Sequence, residues 1–158
     1  MKKIKYCLKT FALFITCMLL LTNCKEEEEL YPTFDTISTI RSTEIDKSTN
    51  SLSMTAYVQL PENLIQYMLP GDQLIVLSNE QDNYLTDKCR GVAEIDGNMF
   101  KVQMFGTASE QVNLYFLYYS SGNKYLYKTT AFLPFEVDKR FGTTDNPEVL
   151  PLTIITDK

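Results

Sequence analysis

Hydrophobic and polar residues alternate along most of the chain after residue 50, a pattern typical of strands with one buried face. The segments that carry the pattern are short, rich in β-branched and aromatic residues, and mostly bounded by Gly, Asn, Asp or Pro. They predict strands at residues 51–60, 73–78, 91–95, 99–105, 112–119, 125–130 and 149–156. Short turns at 96–98 and 120–123 favour hairpins, and residues 63–69 predict one helical turn.

No long amphipathic helix and no repeat interrupts these strands. Short strands at intervals of roughly 8–12 residues are typical of sandwiches, so we expect an all-β fold, an antiparallel Ig-like β-sandwich of about 7–8 strands. Residues 112–119 are largely apolar on both faces, which predicts a central strand. Further core candidates are Leu74, Val76, Val92, Ile95, Phe100, Val102, Met104, Leu126 and Ile154.

The segment before the first of these strands has a different composition. Residues 30–50 are rich in Thr, Ser and Asp, with Ile37, Ile40 and Ile45 between the polar residues. This composition predicts a tether that leads into a weak first strand.

The beginning of the chain carries the strongest signal of all. Lys2, Lys3, Lys5 and Lys9 precede an apolar run, FALFITCMLLL, and no acidic residue lies among them. A basic start followed by an apolar run of roughly 7–15 residues predicts a cleaved signal peptide. The run is shorter than the approximately 20 apolar residues of a membrane-spanning helix, although a short anchor that stays on the chain is the alternative.

Leu21-Thr22-Asn23-Cys24 resembles the bacterial lipobox, in which Leu and two small or polar residues precede a Cys. Asn23 is larger than the usual Gly or Ala. The resemblance implies cleavage before Cys24, a diacylglyceryl group on its thiol and a third acyl chain on the new amino terminus. Because two or more acyl chains form a stable anchor, the membrane is the expected partner through the lipid on Cys24.

Lys25-Glu26-Glu27-Glu28-Glu29 follows at once and resembles the acidic tag of Bacteroidetes lipoproteins. That resemblance implies the outer face of the outer membrane, with the periplasmic face as the second interpretation and a plain solvated spacer as the alternative. The expected organisation is a lipoprotein signal peptide at 1–23, a lipidated acidic tether at 24–33 and a single β-sandwich domain at 34–158.

Composition narrows the function classes. The 158 residues suit one domain and include no His and no Trp. The missing His excludes a Ser-His-Asp triad, a Cys-His nucleophile and any imidazole-ligated metal site. The formal net charge is −5 and becomes more negative once the lysine-rich leader is removed, which disfavours nucleic acid as a partner. We therefore expect no enzyme and no cofactor.

The four cysteines do not predict a disulfide. Cys7 and Cys17 leave with the leader and Cys24 is lipidated, so that Cys89 remains alone. A lone thiol in an exported chain either pairs with another molecule or packs as a small buried hydrophobe, and burial is the favoured interpretation.

Two acidic groups are candidates for chemistry. Glu80, Asp82 and Asp87 lie in the loop 79–88 and offer oxygen ligands to Ca²⁺, but the spacing of a calcium loop is missing and a solvated loop is favoured. Glu94 and Asp96 lie two residues apart and could imitate a glycosidase pair. The sequence does not establish the separation of their carboxylates, and we expect no catalytic residue and no metal site.

Tyrosine is the more promising residue. Five tyrosines fall in one predicted hairpin, namely Tyr115, Tyr118, Tyr119, Tyr125 and Tyr127. On an exposed face such rings would stack on a sugar or contact a protein, and the alternative is that they fill the core. The candidate binding residues are Tyr119, Tyr125 and Tyr127, together with the loop around Gly122.

The second half of the chain resembles a β-sandwich module of secreted and surface proteins of Bacteroidetes. The resemblance covers roughly residues 70–151. It is carried by a Gly-Asp turn, an Arg-Gly-Val-Ala strand, an apolar central strand and a Gly-Thr…Pro exit. In this chain these motifs are, in order, Gly71-Asp72, Arg90-Gly91-Val92-Ala93, Val112-Asn113-Leu114-Tyr115-Phe116, and Gly142-Thr143 with Pro147. It implies an adhesive or ligand-binding role without catalytic residues. Val76-Leu77 stand where the module usually has Ala-Phe.

A weaker similarity is to the fimbrillin-like lipoproteins of the same bacteria. It rests on the lipobox, the Gly-Asp turn and the tyrosine-rich strand Leu114-Tyr115-Phe116-Leu117-Tyr118-Tyr119. We therefore expect a surface-exposed outer-membrane lipoprotein that binds a protein or glycan partner. The alternative is an accessory or structural component of a fimbria-like surface fibre.

Overall fold

The computed structural model describes residues 31–108 and 111–156. The leader, Cys24 and the acidic run at 25–29 lie outside these residues. The elements in chain order are α1 (Ile37–Ile40), β1 (Leu52–Gln59), α2 (Glu62–Ile65), β2 (Gln73–Ser78), β3 (Cys89–Asp96), β4 (Met99–Gly106), β5 (Asn113–Ser120), β6 (Tyr125–Thr129), β7 (Leu133–Pro134), β8 (Arg140–Phe141), β9 (Glu148–Val149) and β10 (Leu152–Ile154). The all-β prediction is confirmed, and each strand predicted after residue 50 has a counterpart. The last one is divided into β9 and β10 around Leu150-Pro151.

The strands form one curled, mixed sheet. Its order is β10-β6-β5-β2-β3-β4-β1-β8, with β7 beside β5 and β9 beside β1. Most neighbours are antiparallel, but β1 pairs in parallel with β8 through Thr55 and Arg140, and with β9 through Val58 and Glu148. The pairing therefore differs from the purely antiparallel pattern expected from the alternation, because alternation reports which face is buried and not the direction of a neighbour.

The sheet curls where β3 changes partners. Gly91 lies opposite Val76 of β2, whereas Ala93 lies opposite Val102 of β4. A Cβ atom on Gly91 would lie 2.7 Å from the carbonyl oxygen of Gln103 and 2.8 Å from a methyl group of Val102. The close approach of β4 thus requires glycine at this position.

The first core lies between the two halves of the curled sheet. The half made of β2, β5 and β6 contributes one set of alternate residues, and the half made of β1 and β4 contributes the facing set. The buried members include Leu74, Val76, Leu114, Phe116, Tyr118 and Tyr127 from the former, and Met54, Ala56, Val58, Phe100, Val102 and Met104 from the latter. Alternate residues of each strand meet across this space, as the period of two requires.

A second core lies on the opposite face of β2, β5 and β6. Its buried residues are Ile37, Ile75, Leu77, Cys89, Tyr115, Leu117, Tyr119, Leu126 and Ile155, and Phe34, Ile40, Ile45 and Tyr84 pack against them. β5 is consequently buried on both faces, which confirms the prediction that it is central.

The segment that covers this second core corrects the predicted tether and weak first strand. Within residues 31–50 it forms no strand, and its only regular element is the single turn α1. Thr36 caps the turn by accepting the amide hydrogen of Thr39, and Ile37 is fully buried against the sheet. Residues 31–45 are named the N-terminal strap below.

Two predicted core residues are exposed instead. Val92 is 46% exposed and Ile95 is 41% exposed. Val92 lies on the outer side of β3 with Glu94, and Ile95 lies beside Met68 and Leu69, next to the last residue of its strand. The β-branched composition of β3 indicated a strand correctly, but it did not show how far the core extends along that strand.

Candidate functional site

A buried carboxylate holds together the loops at one end of the sheet. Asp72, 5% exposed, accepts hydrogen bonds at Oδ2 from the amide of Leu69 (3.0 Å) and the hydroxyl of Tyr118 (2.6 Å). Its Oδ1 accepts from the amide and the hydroxyl of Ser121, both at 2.8 Å. Burial raises the pKa of Tyr118, and the hydrogen bond to Asp72 raises it further.

Asp72 thereby joins two of the three segments of a surface that we name the tip. The tip consists of residues 66–70, residues 95–98 at the end of β3 and in the β3–β4 turn, and the β5–β6 turn at 121–124. Residues 66–70 run between the two turns, with an open groove of about 550 Å³ toward the β5–β6 turn and another of about 600 Å³ toward the β3–β4 turn. A Cβ atom on Gly122 would meet Cδ1 of Leu69 at 3.2 Å, so the two loops pack closely.

The tip exposes large apolar side chains. Tyr67 is 66% exposed and Leu69 is 46% exposed, and Ile95 borders the second groove. Sequence reasoning missed this feature because Tyr67 falls in a segment predicted as a helical turn with one apolar face. The signal that could have found it is an apolar segment directly before the turn Pro70-Gly71.

The N-terminal strap begins beside the tip. The ring of Tyr31 packs edge-on against the ring of Tyr125, with centroids 5.7 Å apart. The amide of Phe34 donates to the carbonyl of Lys124 at 2.8 Å, and the Lys124 ammonium lies 3.7 Å from the carboxylate of Asp35. The strap then crosses the second core toward the opposite end of the sheet.

The structure does not bring the candidate residues Tyr119, Tyr125 and Tyr127 onto one surface. Tyr119 lies in the second core and donates its hydroxyl hydrogen to the carbonyl of Asp35 at 2.5 Å. Tyr127 lies in the first core, with its ring centroid 5.7 Å from that of Tyr118. Tyr125 is half-buried at the edge of the first core, while Gly122 is exposed in the groove beside Tyr67.

At the opposite end, the acidic loop is organised around another buried carboxylate. Asp87 is 1% exposed and accepts hydrogen bonds from the amides of Gln81 (2.8 Å) and Asn83 (3.0 Å) and from the hydroxyl of Tyr115 (2.9 Å). Burial raises the pKa of Tyr115, with a further contribution from the bond to Asp87. Asp87 therefore holds a loop closed.

Arg41 connects this loop to the strap. Its guanidinium donates to the carbonyl of Tyr84 at 2.6 Å and also to the carbonyl of Asp87. Partial burial lowers the pKa of Arg41. The strap is thus held at both of its ends, by Lys124 at the tip and by Arg41 at the acidic loop.

The other acidic candidates do not converge. Glu80 forms ion pairs with Lys88 (3.2 Å) and Arg90 (3.5 Å). Glu94 and Asp96 lie on the exposed part of β3, where Glu94 is opposite Lys101 of β4. Across the described ranges, no three His, Cys, Asp or Glu residues are grouped so that they could hold a metal ion.

Cys89 is a buried free thiol, which confirms the favoured interpretation of this residue. Its Sγ lies 3.6 Å from the carbonyl oxygen of Gly91, and burial raises the pKa of the thiol. A thiol that stays protonated and covered is a poor nucleophile.

A further groove, of about 330 Å³, lies on the outer side of β3 and β4. Val92, Glu94, Lys101, Gln103 and Phe105 line it from the strands, together with Ile45 and Lys47 from the segment before β1. The Lys47 ammonium lies 4.5 Å from the ring centroid of Phe105. Apolar, amide and charged groups thus meet on one open face, which we name the β3–β4 face.

Comparison with known proteins yields no family for the chain, since no family model, no curated protein and no solved structure matches it. Among the helices of residues 31–108 and 111–156, none has the length and apolar character needed to cross a membrane.

Proposed function

We propose that the protein is a surface-exposed outer-membrane lipoprotein whose folded part is a non-catalytic binding or adhesion module for a protein or glycan partner. One observation carries the proposal. The sequence Leu21-Thr22-Asn23-Cys24 follows a basic and apolar leader and ends seven residues before Tyr31, where the strap begins to pack on the sheet. A body held this close to a lipidated residue is displayed at a membrane.

The fold that we propose for this module is an Ig-like sandwich. The support is the position of the first core between the β2-β5-β6 half and the β1-β4 half. Strand β3 passes from one half to the other, as strands do at the corners of sandwiches. The parallel strands β8 and β9 are additions of two residues each beside β1.

The β3–β4 face is the surface that we assign to the partner. Val92 and Phe105 offer apolar contact, while Gln103, Glu94 and Lys101 offer hydrogen bonds on the same groove. A small apolar centre with polar groups around it is the composition of an interface. A non-catalytic role also agrees with the contacts of the acidic candidates. Asp87 accepts hydrogen bonds within its own loop and Glu80 forms an ion pair with Lys88, so both carboxylates already stabilise the structure around them.

Metabolic labelling with palmitate tests the anchor. The wild-type chain should incorporate label and shift in size after cleavage of the leader, whereas Cys24→Ala should incorporate none. Protease treatment of intact and of lysed cells then distinguishes the outer surface from the periplasmic face. Equal labelling of the wild type and of Cys24→Ala contradicts the anchor.

A glycan array probed with the detergent-solubilised lipoprotein tests the binding role. We expect Val92→Glu to lose the binding seen with the wild type, and Val149→Glu to retain it. Val149 is a suitable control because it is also an exposed strand valine, at 54%. Binding that survives Val92→Glu would move the partner site away from the β3–β4 face.

A fibre component is the second candidate, and the edge strand β10 favours it. This strand has three residues and pairs with β6, and the adjoining Ile155 inserts into the second core. A short terminal strand at a sheet edge can be exchanged between copies by β-augmentation. Ladders of polymer that resist detergent without heating, and disappear in Ile155→Asp, would support this candidate over the binding module.

A further inference from the structure

We propose that the tip rests on the lipid bilayer that holds the acyl chains, with Tyr67, Leu69 and Ile95 at the level of the headgroups. The inference rests on the proposed lipid anchor at Cys24. It specifies which end of the body meets the membrane, and therefore which surfaces remain open to a partner.

The chain reaches the folded body at the tip. The strap starts with Tyr31 against Tyr125 and with Phe34 bonded to Lys124, in the turn that forms part of the tip. Six residues lie between Cys24 and Tyr31, so that seven Cα-to-Cα steps join them. A fully extended chain of that length spans at most about 25 Å.

The folded body is about as long as the fully extended connection from Cys24 to Tyr31. Strands β1, β3, β4 and β5 each have eight residues, which corresponds to roughly 26 Å from the tip to the other end of the sheet. The acidic loop could reach the bilayer only if the connection from Cys24 ran fully extended alongside the body. The tip, in contrast, reaches the bilayer with length to spare.

The tip combines exposed apolar side chains with uncharged amides. Tyr67, Leu69 and Ile95 are 66%, 46% and 41% exposed. The neighbouring side chains that line the two grooves are the uncharged amides Gln66, Asn98 and Asn123. A tyrosine ring has a polar hydroxyl at its end, and here aliphatic residues and amides lie around it. Such a group of side chains favours the interface between headgroups and acyl chains.

The charges around the tip fit an uncharged bilayer. Lys124 is paired with Asp35 at 3.7 Å. Glu62 and Asp96 lie close to the groove residues along the chain, and both are exposed. No excess of positive charge is therefore offered to anionic lipid, and the contact depends on apolar burial.

The tip is also held in shape before it meets a membrane. Asp72 accepts hydrogen bonds from the amides of Leu69 and Ser121, and Gly122 packs against Leu69. Because the loops are already ordered, little conformational entropy is lost when the apolar side chains enter the interface.

Fluorescence of the reconstituted lipoprotein tests the orientation. The full lipoprotein is purified in detergent, placed in phosphatidylcholine vesicles and labelled with nitrobenzoxadiazole at Tyr67→Cys or, as the matched control, at Leu85→Cys. Leu85 is 41% exposed and lies in the acidic loop at the opposite end. Cys89 is buried, so protein without an added cysteine measures the background.

We expect the Tyr67→Cys label to shift to the blue and to be quenched by nitroxide lipid, and the Leu85→Cys label to be quenched by aqueous iodide. Adding Ile95→Asp should return the first label toward iodide quenching, while the acyl chains keep the protein on the vesicles. Iodide quenching of both labels on floating, lipidated protein overturns the inference alone. If the Tyr67→Cys label is protected from iodide at high protein density but becomes accessible when the protein is diluted with lipid, the tip contacts a second copy of the chain. That result also overturns the inference. Protein that lacks lipid on Cys24 overturns the inference together with the proposed function.

Discussion

The hydroxyl of Tyr118 donates to Oδ2 of Asp72 across 2.6 Å, and this bond joins the central strand to the loops of the tip. Both side chains are nearly inaccessible, at 1% and 5% exposure. The same carboxylate also holds the amides of Leu69 and Ser121. The buried carboxylate is stabilised by four hydrogen-bond donors. Once it is removed, the buried donors lack an acceptor, and each of them lowers the free energy of unfolding.

Asp72→Ala should therefore lower the free energy of unfolding by about 2–4 kcal/mol, since it leaves buried donors without an acceptor. Chemical denaturation with guanidinium chloride measures the change. Asp96→Ala is the control, because Asp96 is an exposed acidic residue at the same end and should change stability by less than about 0.5 kcal/mol. Equal effects of the two substitutions would contradict the role assigned to Asp72.

Arg41→Ala should release the strap from the acidic loop. The guanidinium donates to the carbonyls of Tyr84 and Asp87, and its loss should cost about 1–3 kcal/mol. Hydrogen exchange should become faster at the amides of Phe34 and Ile37 and stay unchanged in β5. Arg41→Lys should give a partial effect, because a single ammonium group cannot reproduce the planar fork. Unchanged exchange in the strap would show that Arg41 does not hold it.

Gly91→Ala should destabilise the fold by about 1–3 kcal/mol, because the new methyl group would meet the carbonyl of Gln103 and the side chain of Val102. Gly97→Ala provides the comparison. Gly97 has φ +62 but open space around its Cβ position, so its substitution should cost only the left-handed strain of about 1–2 kcal/mol. The two variants separate crowding from backbone strain. Gly91→Ala should also change the chemical shifts of β4, and Gly97→Ala should not.

Stability should fall as the pH rises above about 10. Burial raises the pKa of Tyr115, Tyr118 and Tyr119 above their ordinary value of 10.0, so the unfolded chain releases protons at a pH where the folded chain retains them. The stabilisation is complete below about pH 10 and decreases by at most about 1.4 kcal/mol per pH unit for each tyrosine. Denaturation with guanidinium chloride at several pH values, with tyrosinate absorbance followed in parallel, measures the slope.

One variant checks the assignment of this slope. Tyr115→Phe should reduce the slope by the share of one tyrosine, because burial raises the pKa of Tyr115. A free energy of unfolding that stays constant through alkaline pH would contradict the burial of the three phenols.

The strand pattern was readable from sequence because alternation and turn residues act locally. β2 begins and ends at the predicted residues, and the two apolar faces of β5 correctly indicated a central position. The covering of its second face was not predictable in the same way. Ile37 and Ile40 are separated by polar residues in a segment whose helix is one turn long, too short to show a period.

The candidate site shows the same limit. A tyrosine-rich strand indicates apolar surface, but the sequence does not say whether another segment covers it, as the strap covers Tyr119. The exposed aromatic residue at the tip is Tyr67, in a loop whose shape depends on Asp72, 46 residues before its partner Tyr118. Contacts this distant along the chain leave no periodic signal.

The strap also determines where the chain can be shortened. A truncation that starts at Leu52 would remove the strap from Ile75, Leu117 and Tyr119 and leave an apolar sheet face exposed to water. Such a fragment should precipitate or self-associate, although every strand is retained. A truncation that starts at Tyr31 would instead keep the strap over this sheet face, so we expect that fragment to stay in solution where the shorter one does not.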